Sequence, residues 1–136
     1  MKILCLECRA VEYVLQYPTQ SIVEPDDAAL SSLAWDNCLL LLITIEPGDL
    51  EKIRHAAKAI RRVCAKTDVK SIVINGFAHL SHTLASPEDS HQTIVALRDR
   101  LVETTPHQVE VTPFGWQKSF TIDVMGNSGS QRFIHV

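Results

Sequence analysis

Cys38-Leu39-Leu40-Leu41-Leu42-Ile43-Thr44-Ile45 is the longest strongly apolar run in the chain. It is far shorter than the roughly 20 residues of a membrane helix and has the length of a strand. Its unbroken apolar character, rather than alternation, predicts a strand covered on both faces. Pro47-Gly48-Asp49 breaks the run and offers Asp49 as a helix N-cap. From Leu50 to Lys66 the apolar residues Ile53, Ala56, Ala57, Ile60, Val63 and Cys64 recur at helical spacing. Ser71-Ile72-Val73-Ile74-Asn75 then reads as a second, short buried strand. Strand, helix and strand in succession predict a right-handed β-α-β crossover between Cys38 and Asn75.

Outward from this unit, Lys2 to Cys8 reads as a first strand, and Val11 to Tyr17 alternates loosely as a second, half-exposed one. Pro18 ends it, and residues 18–37 read as a loop with a short helical turn near Asp26 to Leu33. On the other side, Pro87-Glu88-Asp89 opens a helix through about Glu103, with Ile94, Val95, Leu97, Leu101 and Val102 for packing. Gln108 to Thr112 and Trp116 to Val124 read as strands joined across Pro113-Phe114-Gly115, and Arg132 to Val136 as a last strand after a turn at 125–130. The expected architecture is a single α/β domain over 1–136, a mixed β-sheet carrying two main helices.

With 136 residues, 46% hydrophobic and 21% charged, the chain has the size and composition of one ordinary globular domain, which excludes collagen-like and low-complexity classes. The N-terminus lacks the pattern of a signal peptide, so a cytoplasmic location is expected and no membrane partner. The net charge is −3, yet Lys52, Arg54, Lys58, Arg61, Arg62, Lys66 and Lys70 face only Glu51 and Asp68 within residues 50–70. Arg54, Lys58, Arg62 and Lys66 fall at i, i+4, i+8 and i+12, a basic stripe that suits either a solvated helix face or contact with phosphates. Cys5 and Cys8 form a C-x-x-C, but on a strand positions i and i+3 face opposite sides, so neither a redox pair nor a zinc half-site is expected. The four cysteines read as structural thiols, with no metal and no cofactor implied.

Chemistry-bearing residues cluster in Asn75-Gly76-Phe77-Ala78-His79-Leu80-Ser81-His82, directly after a buried strand, and in Pro113-Phe114-Gly115-Trp116-Gln117-Lys118. Loops at the C-terminal ends of strands are where α/β proteins place ligands. The sequence has no P-loop, G-x-G-x-x-G or G-x-S-x-G.

The pair Phe77-Ala78-His79-Leu80-Ser81 and, roughly 35 residues downstream, Pro113-Phe114-Gly115-Trp116-Gln117-Lys118 resembles the P-F-A-H-L-S and P-F-G-[YW]-x-K motifs of the N-terminal editing domain of archaeal threonyl-tRNA synthetases. The resemblance covers nearly the whole chain. It implies a D-aminoacyl-tRNA deacylase-like fold, usually dimeric, and hydrolysis of the ester between serine and threonine tRNA. The chemical need is general: a synthetase site gains only ~1–3 kcal/mol from the methyl group that serine lacks, so a second, hydrolytic site is required. The resemblance implies that His79 lines the pocket near the aminoacyl group and that Lys118 sits near the scissile ester. It further implies that Gly76, Phe77 and Ala78 hold the amino acid, and that Phe114, Gly115, Trp116 and Gln117 shape the pocket beside the terminal adenosine. Gln131 aligns with a glutamate of the family, and Gly76 replaces a proline, a change that loosens the turn. The expected partners are aminoacylated tRNA, a threonyl-tRNA synthetase served in trans, and a second copy of the chain. Arg54, Lys58, Arg62 and Lys66 would guide the acceptor stem. Removal of D-amino acids from tRNA, or a non-catalytic module docked on a synthetase, are the alternatives.

Overall fold

The computed structural model describes residues 1–19 and 31–136. Six strands, β1 (Lys2–Pro18), β2 (Ser32–Thr44), β3 (Ser71–Gly76), β4 (Gln108–Val111), β5 (Trp116–Val124) and β6 (Gln131–His135), form one mixed sheet. Its order is β4-β3-β2-β1-β5, with β6 also on β1. Helices α1 (Ile53–Cys64) and α2 (Pro87–Thr104) complete the α/β fold. The pairs β2–β3 and β3–β4 are parallel, and β1 is antiparallel to all its neighbours.

The two short strands expected before Pro18 are one strand of 17 residues. The supposed break at Arg9-Ala10 is a bulge: the register against β5 shifts between Cys8 and Ala10, and Arg9 turns outward to pair with Asp123 at 2.7 Å. One edge of β1 serves two strands in turn, β6 along Lys2–Leu6 and β5 along Cys8–Pro18. The loop expected over 18–37 is also corrected, because Ser32–Asn37 belong to β2, with Leu33 and Trp35 turned inward between exposed Ser32, Ala34 and Asp36. Trp35 stacks on Tyr13 with ring centroids 5.8 Å apart, which supplies the apolar contact that holds this half of the strand. The helical turn expected over Asp26 to Leu33 lies outside the described residues up to position 30, and its end at Ser32 and Leu33 is strand.

The apolar run of β2 is buried on both faces, as expected. Leu39, Leu41 and Ile43 join a core with Ile3, Cys5, Ile72 and Ile74 beneath the helices. Cys38 and Leu40 join a second core with Cys8, Val11 and Val73 on the other face. Cys5 and Cys8 therefore do face opposite sides. All four thiols are buried and reduced. Burial pushes Cys5 and Cys38 up to about 12 and Cys8 and Cys64 up to about 11, so none is a nucleophile near neutral pH. Helix α1 presents Ala56, Ala57, Ile60, Val63 and Cys64 to the core. The helix expected over Leu50–Lys66 is shorter, a 3-10 turn at Asp49–Lys52 leading into α1.

Asp49 is not the N-cap. Gly48 occupies that position, at φ +82°. The Asp49 carboxylate is buried, lies 2.6 Å from the Met1 amine and accepts from the Glu46 N–H at 2.7 Å. Burial, the largest influence, pushes its pKa up, but the amine, the Glu46 N–H and Lys52 together outweigh it and hold the group below its ordinary value. Among the described residues no helix is long and apolar enough to cross a membrane.

Candidate functional site

A cavity of about 390 Å³ opens where the parallel strands end, a size suited to a small ligand. Ile43 and Thr44 from the end of β2 with Ile45 just beyond it, Asn75–Gly76 from β3, and Pro113 after β4 line it, and the first residues of β5 close it. Thr44 pairs with Lys2 at one end of β1, whereas Trp116 pairs with Pro18 at the other. Seventeen extended residues would span ~55 Å. Both partners line one cavity only because β1 coils, helped by its two register shifts.

The first motif forms one wall. The Phe77 N–H donates to the Ile43 carbonyl at 2.8 Å, extending the β2–β3 ladder past Gly76. Ala78–Leu80 then make a 3-10 turn. The buried Thr44 hydroxyl spans this turn: it donates to the Phe77 carbonyl and accepts from the Leu80 N–H at 3.2 Å. Ser81 donates to Glu46 Oε1 at 2.5 Å and accepts from Lys2 Nζ at 3.0 Å. The Ser81 hydroxyl foremost, with Lys2 and the Met1 amine, holds the Glu46 carboxyl down to about 2 against the opposing effect of burial. His79 is exposed at the rim, its ring edge-on to Phe77 with centroids 5.1 Å apart. Gly76 does not loosen the turn. It is the last ladder residue of β3, opposite Ile43, and its carbonyl accepts from Asn75 Nδ2 at 3.0 Å. A Cβ there would lie 3.3 Å from Ile94 and 3.5 Å from the Phe114 ring, so glycine lets these side chains close in.

The second motif forms the facing wall. Gly115 takes φ +78°, a conformation glycine adopts without strain, and its carbonyl accepts from both the Thr19 N–H (2.7 Å) and the Thr19 hydroxyl (2.8 Å). In the first half of β5 the half-buried residues Trp116, Lys118 and Phe120 alternate with exposed Gln117 and Ser119. This period places Lys118 on the face of its aromatic neighbours, and its ammonium donates to the Trp116 carbonyl at 3.1 Å. The Phe114 ring meets His91 of α2 at 5.3 Å. The walls are joined beneath the cavity by a buried bond from the Thr112 hydroxyl to Asn75 Oδ1, 2.7 Å.

The structure thus brings Gly76, Phe77, Ala78, His79, Phe114, Gly115, Trp116, Gln117 and Lys118 to one cavity. Gln131 lies elsewhere, exposed on β6 opposite Leu6 and outside the lining. Arg54, Lys58 and Arg62 are exposed on α1, with Lys66 just beyond its end, also apart from the lining. Arg54 borders a shallow groove shared with Asp99 and Glu103 of α2. Thr44, Glu46 and Thr112 escaped the sequence reading, although one hydroxyl closing a buried apolar strand was a visible signal at Thr44. Among the described residues no group of three or more His, Cys, Asp or Glu side chains is gathered as a metal site.

The whole chain, residues 1–136, matches the family model described as the archaea-specific editing domain of threonyl-tRNA synthetase. It is 33% identical over 129 residues to a threonine–tRNA ligase editing subunit of Saccharolobus solfataricus, covering 94% of this chain and 33% of the relative. A threonine–tRNA ligase editing subunit of Aeropyrum pernix is 30% identical, with 93% of this chain and 30% of the relative covered. A threonine–tRNA ligase of Staphylothermus marinus is 29% identical, with 96% and 22% covered. The chain therefore spans a third or less of the length of these relatives.

Proposed function

The chain belongs to the archaea-specific editing-domain family of threonyl-tRNA synthetases, and we propose that it has a proofreading, hydrolytic role in which its cavity hydrolyses the ester between serine and threonine tRNA, acting in trans. The observation that carries this reading is the meeting of the two motifs in one cavity, with His79 and Lys118 both in its lining. Two relatives are named editing subunits, which supports service to a separate synthetase and, with it, a binding partner of that kind.

In this reading the backbone of Gly76 to Ala78, fixed by Ile43 and Thr44, holds the amino acid. The ring of Phe114 and the indole of Trp116 flank the terminal adenosine. A charged Lys118 ammonium stabilises the oxyanion that develops as water attacks the ester carbonyl, and His79 at the rim contacts the aminoacyl group. A ribose hydroxyl of the tRNA orients the water, so the protein supplies chiefly position and electrostatics. The exposed Arg54, Lys58 and Arg62, with Lys66, track phosphates of the acceptor stem along α1, which starts just after the β2 end that borders the cavity.

The deciding assay offers the purified protein three substrates: seryl-tRNA and threonyl-tRNA for threonine, and a tRNA carrying a D-amino acid. Selective loss of serine is expected. Preferred loss of the D-amino acid would reassign the substrate, and a folded protein that hydrolyses none would overturn the enzymatic reading in favour of a binding module.

A further inference from the structure

The cavity is apolar at its base, where Ile43, Ile45, Ile94 and Phe114 meet, and among the described residues only two of its polar side chains are buried, Thr44 and Asn75. Their hydrogen-bonding capacities differ. The single O–H of Thr44 is committed to the Phe77 carbonyl. The Asn75 carboxamide has two N–H donors and an oxygen acceptor. One N–H goes to the Gly76 carbonyl at 3.0 Å, and the oxygen takes the Thr112 hydroxyl at 2.7 Å. A carbonyl can only accept, so the Gly76 contact fixes which end of the amide is nitrogen. The second N–H stays available in a side chain that is 4% exposed, held at both ends, and part of the cavity lining.

We propose that Asn75 is a specificity-determining residue whose remaining N–H donates to a hydroxyl oxygen on the side chain of the bound amino acid. The inference rests on the reading of the cavity as an aminoacyl-ester site. A buried, oriented donor in an apolar surround favours a ligand with an oxygen at that point. It disfavours the analogue that lacks one, because the donor is then left dry and unpaired. The cavity would separate serine from alanine by this contact, a discrimination that no other buried side-chain donor among the described residues of the lining can supply.

The test uses unhydrolysable ligands, seryl- and alanyl-adenosine with the ester replaced by an amide, titrated calorimetrically into the full chain. The unaltered protein is expected to bind the seryl compound about tenfold more tightly. Asn75→Ala is expected to bring the two affinities together chiefly by weakening the seryl compound. Thr112→Val, which frees the amide oxygen, is expected to narrow the preference, and it carries the test if Asn75→Ala does not fold. Equal affinities in the unaltered protein, no binding of either compound, or a preference unchanged in the folded variants would overturn the proposal. So would an equal weakening of both compounds, which marks a structural role. Seryl-tRNA hydrolysis measured alongside separates the two readings. A seryl preference without hydrolysis keeps Asn75 and removes the enzyme, and hydrolysis without the preference does the reverse.

Discussion

The Ser81 hydroxyl lies 2.5 Å from Glu46 Oε1 and ties the turn that carries His79 to the segment leaving β2. Glu46 in turn meets the Met1 amine at 3.1 Å and Lys2 at 3.1 Å, so the start of the chain and the rim of the cavity share one carboxylate. Since these partners hold Glu46 at about 2, below its ordinary 4.5, its contribution to stability is full above about pH 4.5. That contribution drains away as the pH falls toward 2. Chemical denaturation at pH 7, 4.5 and 3 should show this loss. Glu46→Gln should be less stable at pH 7 and should lose less on acidification.

Thr44→Val keeps the shape of the side chain and removes the hydroxyl that joins Phe77 to Leu80. A half-buried N–H and C=O then lose their partner, at a cost of about 1 kcal/mol. Urea unfolding should show that loss, and Thr44→Ser should restore most of it. Deacylation should follow the same order if the turn positions His79.

Lys118→Ala should lower single-turnover hydrolysis of seryl-tRNA about 100-fold or more, in the range of a lost oxyanion donor. A circular dichroism melt of the variant separates this loss of chemistry from unfolding. Wild-type rates in a folded Lys118→Ala protein would remove Lys118 from the chemistry.

Replacing Arg54, Lys58 and Arg62 together with glutamine should weaken tRNA binding and flatten its dependence on salt, since each phosphate contact releases counterions. Binding measured between 50 and 200 mM salt with an unchanged slope would place the acceptor stem on another face.

Thiols raised to about 11 and 12 in the core should resist alkylation at pH 8. Mass spectrometry should find Cys5, Cys8, Cys38 and Cys64 unmodified by iodoacetamide in the folded protein and all four modified in urea.

The parts of the fold written in local pattern were legible. The run at Cys38–Ile45 announced a strand buried on both faces, and the spacing from Ile53 to Cys64 announced α1. What escaped depends on partners distant in sequence. Arg9 looks like the end of a strand until Asp123 stands beside it, and Ser32–Asn37 look like loop until Tyr13 meets Trp35. Asp49 carries the local signature of a cap, but a buried amine 48 residues away claims its carboxylate. At the site, the motif residues were legible as letters. The hydroxyl and carboxamide that hold them, at Thr44, Thr112 and Asn75, act through geometry that only the assembled sheet provides.

The double duty of β1 has a consequence for biosynthesis. Within this fold β1 precedes its partners β5 and β6 by about 100 residues, so one of its edges has no native partner until those strands have been made. Such sequence-distant pairing raises contact order and slows folding. An unpaired 17-residue edge is meanwhile a template for the wrong strand. The outward Arg9 and Glu12 and the bulge at Cys8–Ala10 interrupt that template, giving the nascent chain some protection against aggregation until β5 and β6 are in place.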